Sequence, residues 1–169
     1  MSGWIDINGP VEGTSVYDSG TLVARDVTLN LPAVTFGTAE LKAMGTLTMP
    51  ILGQVEHMEA SLTKIGLDKG LRSLVKMESR TLEYRWIQIV KQSDDSNKRV
   101  GCKAFLRGTP TGIPGLTGEP ASSTDSDVTF GVTRYELFVD GEEYWCIDKL
   151  ATICRIDGTD YAKDMNSLL

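Results

Sequence analysis

Short stretches in which apolar and polar residues alternate, separated by glycine turns, recur along this chain. Residues 21–31 (TLVARDVTLNL) alternate in this way, and residues 128–139 are followed by Asp140, Gly141 and a returning stretch at 143–148. Alternation with a period of two places successive side chains on opposite faces of a strand, and Asp-Gly favours a tight hairpin turn. The sequence therefore predicts strands that each bury one face.

Further segments extend this prediction to the whole chain. Strands are expected at 54–63, 81–90, 98–108 and 151–156, the last ending at an Asp-Gly turn that precedes a short terminal helix. One amphipathic helix is expected over 68–77, because leucines and a valine recur there at helical spacing. The predicted fold is mainly β: a β-barrel or β-sandwich with one flanking α-helix and a long hairpin arm.

The chain has 169 residues, which suits a single domain with one core. Three segments depart from the strand pattern. Residues 1–20 read as an acidic N-terminal arm or irregular strand, because the first 24 residues contain no Lys or Arg and several glycines. Residues 33–53 are interrupted by Gly and Pro and predict an extended hairpin arm, and residues 109–126 predict a flexible loop.

Composition excludes several classes of function. The net charge of −6 disfavours a protein that grips nucleic acid through its phosphates. No apolar run approaches the ~20 residues needed to cross a bilayer, and the first residues do not resemble a secretory signal. The three cysteines, Cys102, Cys146 and Cys154, have no zinc-site spacing and are expected to be reduced core residues of a cytosolic product.

Candidate catalytic and metal-binding residues are sparse. His57 is the single histidine and lies in an alternating stretch with no motif of an acid, base or nucleophile around it. Acids near the 157–158 turn (Asp157, Asp160 and Asp164) do not have the spacing of a calcium loop. We therefore expect no enzymatic activity, no metal and no cofactor.

Aromatic residues and charge asymmetry leave alternatives open. The strand aromatics could form a platform for bases or sugars, or could pack in the core or against another subunit; they are Tyr84, Trp86, Tyr135, Tyr144 and Trp145. Residues 64–80 hold five basic and two acidic side chains, whereas residues 135–148 hold five acids and no base. These charges are either ordinary solvated groups or two patches that meet across a repeated interface.

Four stretches in a fixed order carry a resemblance: TLVARDVTLNLP, FGTAELKAMGTLTMPILGQ, EHMEASLTKIGLDKGLRSLVK and the ending RYELFVDGEEYWCIDKLATICRIDGTDYAKDMNSLL. The ending is the most specific, with DG, ID and IDGTD at matching intervals. Together these stretches resemble the major tail tube protein of contractile-tailed bacteriophages, whose relatives build the tubes of contractile bacteriocins. The resemblance covers about residues 21–169.

This resemblance implies a structural subunit that forms hexameric rings, stacked into a hollow inner tube through which DNA is ejected. The implied partners are other copies of the chain, the tail sheath protein, a baseplate or initiator protein and a tail terminator protein. Genomic DNA is expected to pass through the lumen without specific binding, and no membrane is involved. The implied location is the virion tail, after assembly in the host cytoplasm.

Specific residues follow as hypotheses. Glu56 and Glu59 are expected to line the lumen. The arm is expected to contact neighbouring subunits through Phe36, Leu41, Met44, Leu47 and Met49, and the basic helix is expected to face the sheath or a neighbour through Lys69, Arg72 and Lys76. Two alternatives remain: the tube of a contractile bacteriocin particle, and a β-sandwich module that binds a carbohydrate or another ligand.

Overall fold

The computed structural model describes residues 6–169, and within this range the chain is mainly β, as predicted. The elements in chain order are β1 (Ile7–Asp18), β2 (Thr21–Arg25), β3 (Thr28–Asn30), β4 (Phe36–Lys42), β5 (Thr46–Val55), β6 (Met58–Ile65), α1 (Lys69–Leu74), β7 (Arg80–Lys91), β8 (Asn97–Pro110), β9 (Asp125–Val139), β10 (Glu142–Asp148), β11 (Ile153–Ile156), β12 (Thr159–Asp160) and α2 (Lys163–Leu168).

Ten strands form one antiparallel sheet in the order β12-β11-β10-β9-β8-β7-β1-β2, and β6 and β3 extend it from β9. The first half of β9 pairs with β6, the second half pairs with β10, and β8 pairs along the other side. Inward-facing side chains from all these parts meet in one hydrophobic cluster, which includes Met58 of β6, Tyr84 of β7 and Ile147 of β10. This cluster is the main core, and a smaller cluster of Val90, Val100 and Cys102 lies beside it in the described part of the chain.

Alternation fixes the register of the long strands. In β8, Cys102, Ala104 and Leu106 are buried, whereas Lys103 and Arg107 between and beyond them are exposed. Burying each large apolar side chain contributes about 1.5–3 kcal/mol, and a one-residue slip would turn the whole apolar set toward water. The expected strands at 81–90 and 98–108 are thus β7 and β8, a hairpin with continuous pairing from Arg80–Gly108 to Lys91–Asn97.

Four hairpin turns share one backbone feature: two consecutive residues with positive φ, the second of which is glycine. Both Asp-Gly turns predicted from the sequence have this geometry. Turns of this kind match the right-handed twist of the paired strands. The four pairs are Ser19-Gly20, Met44-Gly45, Asp140-Gly141 and Asp157-Gly158.

The prediction of a single strand over residues 21–31 was wrong. The chain forms β2 and β3 instead, with a break at Asp26, whose φ is +53°. Thr14 of β1 holds this break: its hydroxyl accepts from Val27 N (2.9 Å) and donates to Val27 O (2.6 Å), and its carbonyl accepts from Asp26 N (2.9 Å). As a result β2 pairs with β1, whereas β3 crosses to pair with β6.

The prediction of one strand over residues 54–63 was also wrong in its bounds. β5 ends at Val55, and β6 begins at Met58, with Glu56 and His57 in the link between them. The reason is that β5 pairs only with β4, whereas β6 pairs with β3 and β9. The two halves of the expected strand therefore belong to different sheets.

The helix prediction is confirmed over a shorter range. α1 begins after Asp68, whose carboxylate accepts from Leu71 N at 3.0 Å and so caps the helix. Leu71 and Leu74 are buried against the sheet, as the helical spacing indicated. Within residues 6–169 neither helix is long and apolar enough to cross a bilayer.

The three irregular segments have the following structure. Of residues 1–20, positions 7–18 form β1, a bulged strand that pairs with β7, while residues 1–5 lie outside the described residues. Within 33–53, β4 and most of β5 form a separate two-stranded sheet. Between β8 and β9, positions 111–124 contain no regular strand.

Candidate assembly surfaces

The β4–β5 hairpin, called the arm below, has one apolar and one polar face. Directly opposed residues of an antiparallel pair lie on the same face. The register of the arm therefore places on one face the pairs Gly37–Ile51, Ala39–Met49 and Leu41–Leu47. The other face carries the pairs Thr38–Pro50, Glu40–Thr48 and Lys42–Thr46.

The apolar face of the arm is open to solvent. Every residue from 40 to 50 is exposed, including Leu41, Leu47 and Met49, and Leu47 retains 57% of its maximal exposure. A two-stranded hairpin has marginal stability alone in water, and a contiguous exposed apolar patch is typical of an interaction surface. The arm is therefore an element whose apolar face is suited to burial by another molecule.

The tip and the base of the arm differ in their surroundings. Met44 at the tip is fully exposed and has a φ of +52°, a conformation that bulky residues rarely adopt. Phe36 at the base is half-buried and packs against the main core. At the same base, Gly53 lies under Met165 of α2, close enough that an added Cβ would be 2.6 Å from the sulfur. Of the five predicted contact residues, Phe36 therefore anchors the arm and the other four lie on its exposed part.

Open strand edges lie at several places in the described part of the chain. The first half of β1, from Ile7 to Gly13, pairs with β7 on one side, while β2 begins to pair on the other side only at Ser15. β12 ends the strand order of the large sheet on one side, whereas α1 packs closely against β2 on the other side. Unpaired backbone at such edges is a template for pairing with another chain.

The two predicted lumen residues do not share a strand. Glu59 is exposed on the outward face of β6, where His57 Nε2 lies 3.9 Å from its carboxylate. Glu56 is exposed in the link before β6. The outward face of β3, β6 and β9 is polar, with hydrogen bonds from Asn30 to Ser61 (3.1 Å) and from Thr63 to Asp127 (2.6 Å). Glu59 thus lies at one end of a polar sheet face, and Glu56 lies in the link before it.

The basic segment contains two bases with largely buried side chains and three exposed bases, of which Lys76 lies 4.0 Å from the Glu78 carboxylate. Lys64 is buried and pairs with Asp68 at 3.0 Å, which fixes the start of α1. The Arg80 side chain is also largely buried and donates to Asp18 (3.2 Å), to Ser73 O and to Lys76 O (2.6 Å), which satisfies carbonyls at the end of α1. The sequence pattern did not reveal these roles. The three remaining bases, Lys69, Arg72 and Lys76, are exposed.

The aromatic residues do not form an exposed platform. Tyr84 and Tyr135 are buried, Trp86 and Trp145 are half-buried, and Tyr144 alone of the five is exposed. Tyr135 and Trp145 contact each other edge to face, with ring centroids 5.9 Å apart. Burial raises the pKa of Tyr135 to about 12. These rings pack in the core, which was one of the two alternatives.

The cysteine thiols and the acid before α2 occupy positions in which they stabilise the fold. Cys102, Cys146 and Cys154 are buried, and burial raises the pKa of each thiol. The Asp160 carboxylate accepts from Cys154 N (3.3 Å) and Ala162 N (3.0 Å), so it holds the turn before α2. In the described part of the chain, no three His, Cys, Asp or Glu side chains are placed to hold a metal ion.

Comparisons with known proteins bear on the fold and the family. A family model described as phage tail tube protein FII matches residues 10–169. No curated protein sequence matches this chain significantly.

Two solved cryo-EM structures of PVC, an extracellular contractile injection system in the extended state, contain chains of similar fold. A chain in the sheath/tube terminator structure has a TM-score of 0.54 and 12% identity, with 76% of this chain and 95% of that chain covered. A chain in the sheath-tube complex has a TM-score of 0.53 and 14% identity, with 76% of this chain and 90% of that chain covered.

Proposed function

Because the chain belongs to the family of phage tail tube protein FII, a structural tail tube family, we propose that it forms hexameric rings that stack into the inner tube of a contractile tail. The observation that carries this proposal is the arm. Its apolar face is exposed in the single chain, and burial of that face on a neighbouring copy stabilises the polymer at the expense of the monomer.

Open strand edges support the same proposal. A repeated contact that joins the edge of one copy to a different edge of the next is heterologous, and such a contact generates a ring when its rotation closes. Edge pairing also covers the unpaired backbone of β1 between Ile7 and Gly13. A ring of this kind leaves a central lumen, and stacked rings leave a continuous channel.

The remaining parts of the proposal concern partners and location. In a phage the channel conducts genomic DNA during ejection, with Glu56 and Glu59 at its wall. The exposed bases Lys69, Arg72 and Lys76 face the sheath or a neighbouring subunit. A baseplate or initiator protein contacts one end of the tube, and a terminator protein contacts the other end. The chain works in the virion tail after assembly in the host cytoplasm. The tube of a contractile bacteriocin particle uses the same surfaces without a genome.

The test of assembly compares two double variants of the arm. Leu41→Thr with Leu47→Thr removes the apolar face, whereas Glu40→Thr with Lys42→Thr changes the polar face and keeps the net charge. We expect the wild type and the polar-face variant to form rings or tubes in negative-stain images, and the apolar-face variant to remain a folded monomer. Normal tubes from the apolar-face variant would contradict the role of the arm. A wild type that stays monomeric with its baseplate or sheath partner would contradict the tube proposal itself.

A further inference from the structure

A groove crosses the outward face of β2, β1, β7 and β8, on the side of the sheet opposite the core. It has a volume of about 450 Å³. Its wall is mixed: Leu22 and Ile87, which keep 49% and 40% of their exposure, and the Tyr17 ring are its apolar parts, and polar and charged side chains surround them. The volume lies in the ~300–1,000 Å³ range of ligand-binding pockets. In the single chain these apolar side chains face solvent.

Two glycines give the groove its depth. Gly13, Ile87 and Gly101 are directly opposed across β1, β7 and β8, so Ile87 stands between two positions without a side chain. Neither glycine has a positive φ, and an added Cβ at either would meet nothing within 4 Å. Gly101 lies in regular β7–β8 pairing, so the fold does not require glycine there, whereas Gly13 follows a register shift in β1.

Glycine inside a strand has a cost. It destabilises a strand by roughly 0.5–1 kcal/mol relative to alanine, and it often marks a place where another molecule approaches closely. In this groove the space above Gly13 and Gly101 is empty within the chain itself. Gly101 is thus explained by an occupant that comes from outside the chain.

We propose that this groove is the docking site for the arm of a second copy of the chain. The arm offers a continuous apolar face of Ala39, Leu41, Leu47 and Met49, and none of its residues from 40 to 50 is covered in its own chain. A flat hairpin can approach this sheet face closely, because glycine provides no side chain at two of its positions. Leu47 and Leu41 then pack around Ile87 and against Leu22.

The charges around the contact are compatible with this docking. The groove rim carries Arg25, Arg85 and Lys103, while Asp26 is its single lining acid. Arg85 pairs with Glu83 at 2.6 Å and stacks over the Tyr17 ring, 4.3 Å from its centroid. The apolar face of the arm brings no charge of its own, because Glu40 and Lys42 lie on its other face. Of the three bases, Arg85 and Lys103 both pair with Glu83 (2.6 and 4.0 Å), so their charges are balanced within the chain.

The direct test is disulfide trapping in assembled tubes. The native thiols are buried, so cysteines introduced on the surface react selectively. A disulfide forms only when the two Cα atoms come within about 4.4–6.8 Å of each other. We expect Leu47→Cys with Ile87→Cys to give intermolecular disulfide ladders on non-reducing gels. Thr48→Cys with Ile87→Cys, on the polar face of the arm, is expected to give none.

A second test fills the groove without touching the arm. Gly101→Val adds a β-branched side chain where the chain has room for one, so the monomer is expected to be at least as stable as wild type. Assembly is expected to need a roughly tenfold or higher concentration, the factor that corresponds to about 1.4 kcal/mol. Thr109→Ile, which adds bulk on the exposed face of β8 outside the groove, is the control and is expected to assemble normally.

This inference rests on the proposed function, and the outcomes separate the two. Tubes that form normally from Gly101→Val and show no Leu47–Ile87 cross-link overturn the groove as the docking site and leave the tube proposal standing. A wild type that forms no tubes overturns the tube proposal. Equal trapping from both faces of the arm shows that the contact is not specific and also overturns the groove.

Discussion

Asp148 shows how one buried acid organises the carboxyl-terminal part of the sheet. Its side chain retains 4% exposure and accepts from Arg134 Nη1 (2.9 Å) and from the backbone amides of Leu150 and Ala151 (3.0 Å each). Burial alone would raise the pKa of Asp148, but the hydrogen bonds from Ala151, Arg134 and Leu150 together hold it below its ordinary value of 3.8. The ionised form therefore stabilises the turn between β10 and β11.

Replacing this carboxylate tests its contribution. We expect Asp148→Asn to lower the free energy of unfolding at neutral pH by about 1.5–3 kcal/mol, because charge-assisted hydrogen bonds are lost in a buried site. A group with a lowered folded pKa stabilises above its unfolded pKa and loses that effect as pH falls through the folded pKa. The gap between wild type and variant should therefore be full above pH 3.8 and shrink below it. Urea unfolding of the monomer, followed by tryptophan fluorescence, measures it.

The matched control is Asp164→Asn, an exposed acid in α2. Substitutions at exposed positions usually change stability by less than about 0.5 kcal/mol. A loss at Asp148 no larger than at Asp164, or a gap that stays constant down to strongly acid pH, would contradict the role assigned to Asp148.

At the scale of single elements, the arm carries a conformational cost at its tip. Met44 occupies the left-handed region at φ +52°, which costs non-glycine residues other than Asn and Asp about 1–2 kcal/mol. Met44→Asn should therefore stabilise the arm in the monomer and raise the protection of its backbone amides from hydrogen exchange by about fivefold, the factor for 1 kcal/mol. Met44→Ala keeps the strain and should leave protection unchanged.

The same two variants distinguish the effect of backbone strain at the turn from the effect of a contact between the Met44 side chain and a neighbouring copy. If the Met44 side chain packs on a neighbouring copy, both variants assemble less well than wild type, although one has the more stable arm. Assembly followed by light scattering measures this. Improved assembly of Met44→Asn would mean that order in the arm, and not the methionine contact, limits tube formation.

The sequence could predict features that depend on local pattern, but it could not predict features that depend on packing between distant residues. Alternation within β8 and helical spacing at Leu71 and Leu74 depend on neighbours in sequence, so these burial patterns were predictable. The break at Asp26 was not, because it depends on Thr14 reaching Val27 across the β1–β2 hairpin. The burial of Arg80 depends in the same way on Asp18, 62 residues earlier.

The candidate site divides along the same line. The apolar residues of the arm stand out in the sequence, because Leu41 and Leu47 occur in a segment interrupted by glycine and proline. The groove does not stand out in the sequence, because Gly13, Ile87 and Gly101 become neighbours only through the pairing of three strands. A glycine in a strand pattern is a signal that could have pointed to close approach, but its meaning depends on what lies opposite.

At the scale of the whole molecule, net charge sets how the assembled protein meets DNA. The chain has a net charge of −6, and a tube repeats each charged surface of the chain once per subunit. A wall of carboxylates repels phosphates, so DNA slides past it, whereas a wall of lysines holds DNA by releasing counterions. If Glu56 and Glu59 line the lumen, reversing their charge should arrest DNA within the tube.

The variant Glu56→Lys with Glu59→Lys tests this at the level of the particle. We expect intact tubes whose DNA delivery is reduced, with partial recovery at higher salt because the added phosphate contacts weaken as ionic strength rises. Glu119→Lys with Glu142→Lys makes the same change in net charge at two other exposed acids and should deliver DNA normally. Normal delivery through intact tubes of the 56/59 variant would remove these residues from the lumen. An equal loss of DNA delivery in both variants would mean that the net charge of the chain, and not a position on the lumen wall, causes the effect.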